Sequence, residues 1–181
     1  METWDTIRAR RNVRQYTDQP IARANLERIL DAGRRAASAS NWQLELRCRH
    51  RSPAAVELAK VWQGARHVAR SAATIAIVVR QPEDTRHQDL LMYDLGQATA
   101  NIMLAATDLG IGSGHAAVSD QEQARRVLGF PDGYFCAYLI GATQPTAGYD
   151  RWSGRTGGPS TRSSTGTGGR RVHRRGRALS R

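Results

Sequence analysis

At 181 residues the chain is long enough to bury one real core and too short for two domains of ordinary size. It contains no run of about 18 uncharged apolar residues, the least that spans a bilayer, and its opening METWDTIRARR is charged where a secretory signal is apolar. A cytoplasmic protein without membrane contact is therefore expected. The net charge of +11 is unevenly spread: residues 144–181 hold nine Arg against one acid, residues 44–54 three Arg against one Glu, and the rest is within one charge of neutral. Such a body with an arginine-rich end carries either a nucleic-acid arm or a segment foreign to the domain. Cys48 and Cys136 are far apart, with no CxxC spacing and no neighbouring His cluster, so two reduced thiols are expected, without zinc or a disulfide.

In chain order, residues 3 to 14 read as a first helix. Ile21 to Ala36 reads as a second, entered through Asp18, Gln19 and Pro20, with Leu26, Ile29, Leu30 and Ala32 or Gly33 on its inner side. Arg34 to Gln43 ends that helix in small residues and an amide pair, a place where backbone can approach a flat ligand closely. In residues 44 to 54, Arg47, Arg49 and Arg51 alternate and would load one face of any strand with charge, so a poor strand is expected. Residues 55 to 66 suggest a third helix, and Thr74 to Val79, a continuous β-branched run, suggests a strand covered on both faces. From Gln88 to Leu109 a long apolar stripe predicts a helix that Gly110 to Gly114 stops; its other faces carry Leu90, Met92, Met103 and Leu104, too much apolar surface for one domain to cover. A short helix Asp120 to Leu128, a turn at Pro131, Asp132 and Gly133, and a strand Tyr134 to Ile140 follow. The pattern is α+β, with one domain over 1–141. Residues 142–181 contain one Leu, one Val and no Ile, Phe or Met, so they are expected to form no compact part of it.

Arg8 to Tyr16, RARRNVRQY, places four arginines and Asn12 within seven residues. Guanidinium forks match phosphate oxygens two at a time and Asn12 adds a neutral donor. The same run would also suit a solvated helix face or a nucleic-acid patch.

Arg10, Arg11, Asn12, Val13 and Arg14, with Tyr16 following, match an Arg-Arg-Ser-x-Arg motif and its aromatic, Asn12 standing for the Ser. Ala37 to Gln43 matches a Pro-Ser-x-x-Asn-x-Gln motif, Ala37 standing for the Pro. The ordered pair, continued through Tyr93 to Ala117, resembles the nitroreductase family of flavin enzymes from about Trp4 to Gly141. The resemblance implies a central sheet flanked by helices in an intertwined homodimer. It also implies FMN as cofactor, NAD(P)H as co-substrate, or a reduced deazaflavin in its place, and a nitroaromatic, quinone or similar small-molecule acceptor in a ping-pong order. By position it puts Arg10, Arg11, Asn12 and Arg14 on the FMN phosphate and ribityl chain. Ala37, Ser38, Ala39, Ser40 and Asn41 fall on the flavin ring of the other subunit, and a backbone N–H around His115, Ala116 and Ala117 near the flavin N5. No catalytic side chain and no metal is implied, since the flavin passes the hydride itself. His115 is an acid–base group or fills the turn. Asp94 faces the flavin or is a helix-surface carboxylate, and Trp42 walls the substrate pocket or packs.

Two stretches depart from the family: LELRCRHRSP, where a core strand is normal, and the end after Gly141, where a C-terminal arm with a basic residue for the phosphate is normal. Permissible codons for LELRCRHRSP, read one base later, give WNFVVVTDR, a strand and a turn. Those for 141–169, read in the other shifted frame, give a sequence similar to the family's arm, with a stop available at Arg170. The expectation is two reading-frame displacements and a tail without selected function. A rival reading is a flavin-fold protein that has lost catalysis and binds nucleic acid through this tail. With Trp152 as its only Trp and no RNA or DNA motif, nucleic acid is not the expected partner. A third reading is a flavin-storing or flavin-fragmenting relative, which dimethylbenzimidazole formation would reveal.

Overall fold

The computed structural model describes residues 1–39 and 43–144. Its elements are α1 (Thr3–Ala9), α2 (Arg23–Arg34), β1 (Glu45–His50), α3 (Pro53–Leu58), a 3-10 helix (Gln63–Arg70), β2 (Ala73–Arg80), α4 (Thr85–Asp108), β3 (Gly112–Ala117), α5 (Gln121–Leu128) and β4 (Tyr134–Thr143). The strands form an antiparallel sheet in the order β1-β2-β4-β3, so the α+β class expected from the sequence is the one observed.

The sheet separates two apolar layers. On one face Ile75, Ile77 and Val79 of β2 pack with Leu26 and Ile29 of α2 and Leu91, Leu95 and Ile102 of α4. On the other, Ala76 and Val78 pack with Leu58 of α3, Val68 of the 3-10 helix and Leu128 of α5. The alternation of β2 thus feeds both layers, which is why its sequence is apolar without a break. Helix ends follow local chemistry: the Asp84 carboxylate accepts the His87 N–H at 2.8 Å, Asp120 accepts the Gln123 N–H at 2.8 Å, and Gly110 and Gly129 follow α4 and α5 at φ 73° and 71°.

Four expectations change. The first helix stops at Ala9, because Arg10 turns extended and the chain leaves to pair with β3: Asn12 bridges Ser113, and the Val13 N–H donates to the Ser113 carbonyl at 2.8 Å. The expected helix over 55–66 is the short α3 followed by the 3-10 helix. Gly112 to Gly114, read as part of the helix stop, and His115 to Ala117, read as the turn after it, are strand β3; glycine-rich composition hid a segment whose pairing comes from β4 and from residues 12 and 13. The most instructive change is β1. Residues 45–50 do form a strand, at the sheet edge, with Leu46 and Cys48 turned to the α2/α4 layer and the arginines to the other face. There the guanidinium groups of Arg47 and Arg49 donate to the Leu128 carbonyl at 2.9 and 3.3 Å, at the carbonyl end of α5, and Arg47 pairs with Glu45 at 2.7 Å. An edge position lets long side chains lie along apolar surface with their charge at acceptors. Beyond these four, the tail boundary also moves: β4 runs through Thr143, so Ala142 and Thr143, expected to belong to a non-compact tail, are buried in the sheet; residues 145–181 lie outside the described residues.

Close approach governs the N-terminal segment. A Cβ added at Gly114 would sit 2.5 Å from the Val13 carbonyl oxygen, a backbone atom that cannot swing aside. Gly114→Ala is therefore expected to destabilise the protein by about 1 to 3 kcal/mol and to lift residues 12–14 off β3. Thermal melting measures the first effect and loss of amide protection at Val13 the second.

Candidate active site

The departure of the chain from helix at Arg10 decides where its charges go. Laid against β3, residues 12–14 bring Arg14 and Arg10 close enough to His115 for both to depress its pKa. Burial of the ring is the larger cause. Among the described residues neither Arg10 nor Arg14 has an acidic partner, and the Nδ1 of His115 and the Oγ of Ser113, on the same face of β3, are buried without a hydrogen bond. Arg11 differs: its Nε donates to the Ala9 carbonyl at 3.2 Å.

His67, which sequence reasoning did not single out, and Tyr16, the aromatic of the arginine motif, complete this corner. His67, in the 3-10 helix, places Nδ1 3.1 Å from the Gly64 carbonyl and Nε2 3.2 Å from the Gly114 carbonyl. Burial lowers its pKa against these bonds, and Arg14 and His115 lower it further. Tyr16 meets the His67 ring edge-on at 5.7 Å and donates its buried hydroxyl to the Gly141 carbonyl at 3.1 Å; burial pushes its pKa well above the ordinary value. Nothing in the local sequence of His67 marks it, since only the fold brings residue 67 to residue 114.

The strand geometry also sorts the three residues expected to offer a backbone N–H. In a strand alternate residues direct their N–H to opposite edges. Ser113 faces the edge that Val13 occupies, so His115 and Ala117 direct theirs outward as well, whereas the Ala116 amide faces β4. The Ala116 methyl lies in the α5-side layer.

The small-residue motif lies elsewhere in the protomer. Ala37 and Ala39 are held by α4: Gln97 Nε2 donates to the Ala37 carbonyl at 3.3 Å, and the Ala39 N–H donates to Asp94 Oδ2 at 2.8 Å. Asp94 is buried, at 5% exposure, so of the two roles left open for it the helix-surface carboxylate is excluded. Ser38 is half-buried. Ser40, Asn41 and Trp42 lie outside the described residues. Among the described residues no group of His, Cys, Asp and Glu has the makings of a metal site. No described helix is long and apolar enough to cross a membrane.

This fold and these motifs are those of the nitroreductase family, whose signature matches residues 7–45 and 45–142. The chain belongs to that family. The match is in two pieces that meet at Glu45 and it ends at Ala142. A protein of Archaeoglobus fulgidus provisionally named NADH dehydrogenase/NAD(P)H nitroreductase is 32% identical over 135 residues, covering 70% of this chain and 75% of its own. Among solved structures, a nitroreductase family protein from Clostridium novyi NT superposes with a TM-score of 0.74 at 24% identity, over 82% of this chain and 87% of that one. The NADPH:FMN oxidoreductase of Vibrio harveyi, solved with NAD+, gives 0.72 at 23% identity, over 80% and 69%.

Both histidines have pKa values below the ordinary 6.5. The unfolded chain takes up these protons near pH 6.5 and the folded chain only at lower pH, so the stability present above pH 6.5 is lost as pH falls through the window beneath it. Arg14→Ala removes one repelling charge and is expected to move the His115 pKa up, as measured by NMR titration of the ring protons. An unmoved value would show that Arg14 does not face the ring.

Proposed function

We propose that the chain is an FMN-dependent oxidoreductase that takes hydride from NADH or NADPH and passes it to a nitroaromatic, quinone or similar small acceptor. The observation that carries this reading is the pairing of Arg10 and Arg14, without acidic partners among the described residues, with the buried unpartnered nitrogen of His115. Two cations left uncompensated beside a half-buried edge suit a phosphate, which accepts charge-assisted bonds from both forks. The residues therefore fit FMN. When bound, the flavin supplies a ring that accepts and releases a hydride.

In this reading Arg10 and Arg14 hold the phosphate, Asn12 adds a neutral contact, and Arg11 shapes the turn from Ala9 as well as adding positive field. The outward N–H groups of His115 and Ala117 offer preorganised donors for negative charge developing on a reduced ring. His115, neutral at pH 7 because burial and the arginines oppose its protonation, can donate or accept one hydrogen bond without adding a third cation. The motif from Ala37 to Asn41 serves the ring of a second protomer.

A homodimer is part of the proposal. Trp4 and Ile7 on α1 are 65% and 48% exposed, and Leu90, Met92 and Tyr93 on α4 are exposed as well. Large apolar side chains left exposed on two helices are what a second copy of the chain would cover. Residues beyond β4 are assigned to a separate tail, and the enzyme to the cytoplasm, where reduced nicotinamides circulate.

The test is an absorption spectrum of the purified protein reconstituted with FMN, followed by anaerobic NADH and NADPH. Flavin absorbance that bleaches, in a species that sediments as a dimer, is the expected result. Arg14→Ala should lower FMN affinity by about 1.5 to 3 kcal/mol, the worth of a charge-assisted hydrogen bond. Unchanged affinity would remove the phosphate assignment.

A further inference from the structure

We propose that Asp94 is a positioning residue, which holds the flavin-contacting loop in place through the Ala39 amide; this rests on the FMN reading above. Asp94, Gln97 and Asn101 are spaced three and four apart and so share one side of α4. Each makes one hydrogen bond to the α2 region. Asn101 Nδ2 donates to the Ala32 carbonyl at 3.3 Å, Gln97 Nε2 to the Ala37 carbonyl at 3.3 Å, and Asp94 Oδ2 accepts the Ala39 N–H at 2.8 Å. The first ties down α2 itself and the other two tie down the segment that leaves it.

Packing does little for that segment. Ala37 is exposed, and Ser38 and Ala39 carry side chains too small to bury much surface. Asp94 also lines a cavity of about 380 Å³, with Leu91 and Leu95 on one part of its wall and Arg80 and Glu83 on another. Among the described residues, 37–39, apolar anchorage is small and the polar bonds do the locating. The bond to Asp94 is the shortest of the three and the one that is charge-assisted, and it is shielded from water by the burial of the carboxylate. Ala39 is also the last residue before Ser40 and Asn41, the remainder of the motif assigned to the ring.

The inference is tested on the full-length protein with Asp94→Leu, which is close in size and has no acceptor, and Asp94→Asn, which keeps one oxygen. In flavin-free protein, hydrogen exchange at the Ala39 amide should accelerate about tenfold or more in Asp94→Leu while β2 stays protected, and by much less in Asp94→Asn. Affinities for FMN and for riboflavin, which lacks the phosphate, should fall together by about tenfold in Asp94→Leu. Arg14→Ala should instead weaken FMN far more than riboflavin. Gln97→Met keeps the carboxylate and removes only the Ala37 bond, so it still tests the loop if Asp94→Leu does not fold; about threefold weaker binding of both flavins is expected.

Unchanged exchange and affinity in Asp94→Leu would overturn the proposal. So would an effect on FMN alone, or Asp94→Asn as defective as Asp94→Leu, or, where Asp94→Leu does not fold, Asp94→Asn with Ala39 exchange and both affinities unchanged. Wild-type protein that binds neither flavin would overturn the FMN reading and the role toward the flavin, whereas Ala39 exchange would still decide whether Asp94 anchors the loop.

Discussion

Every residue from Ala73 to Val79 is buried, and the rest of the described structure is arranged to keep it so. A strand flanked on both sides and covered on both faces needs two apolar layers, and the chain supplies them from different places in its sequence. One comes from α2 and α4, the other from α3, the 3-10 helix and α5. Because β4 pairs with β2 and β3 with β4, the position of the candidate site at the β3 edge is inherited from that central strand.

The site itself depends on the absence of side chains. Gly112 and Gly114 let Val13 lie against β3 at distances that a Cβ would fill, and Gly141 does the same for the Tyr16 ring. The approach costs the first helix its last turn and sets Arg10 and Arg14 beside His115. Like charges held near a half-buried imidazole repel its proton, and in isolation that arrangement is unfavourable. A bound anion would relieve it. Local conflict of this kind in an otherwise consistent fold marks a candidate functional site.

The β1 edge shows the same logic in a structural role. Alternate arginines there are tolerated because one face of the strand meets the α2/α4 layer through Leu46 and Cys48, while the other reaches the carbonyl end of α5. Arg51, just past the strand, is placed by the Asp18 carboxylate at 2.5 Å and by the carbonyls of Thr17 and Arg70. Three guanidinium groups thus find acceptors outside the apolar layers.

The sequence by itself determined the elements whose signals are local: α2, β2, α4, α5 and β4 follow from periodicity, capping aspartates and glycines after helix ends. It also contained both motifs, because a run of arginines and a run of small residues are visible without a fold. Only the tertiary structure decided that 112–117 is a strand, that residues 45–50 pair at an edge, and that Arg10 leaves the helix, since each depends on a partner distant in sequence. The same holds for His67 against Gly114 and Asp94 against Ala39, separated by 47 and 55 residues. A hydrogen bond across such a distance has no local pattern. Its partner is chosen by the packing of the sheet and helices between them.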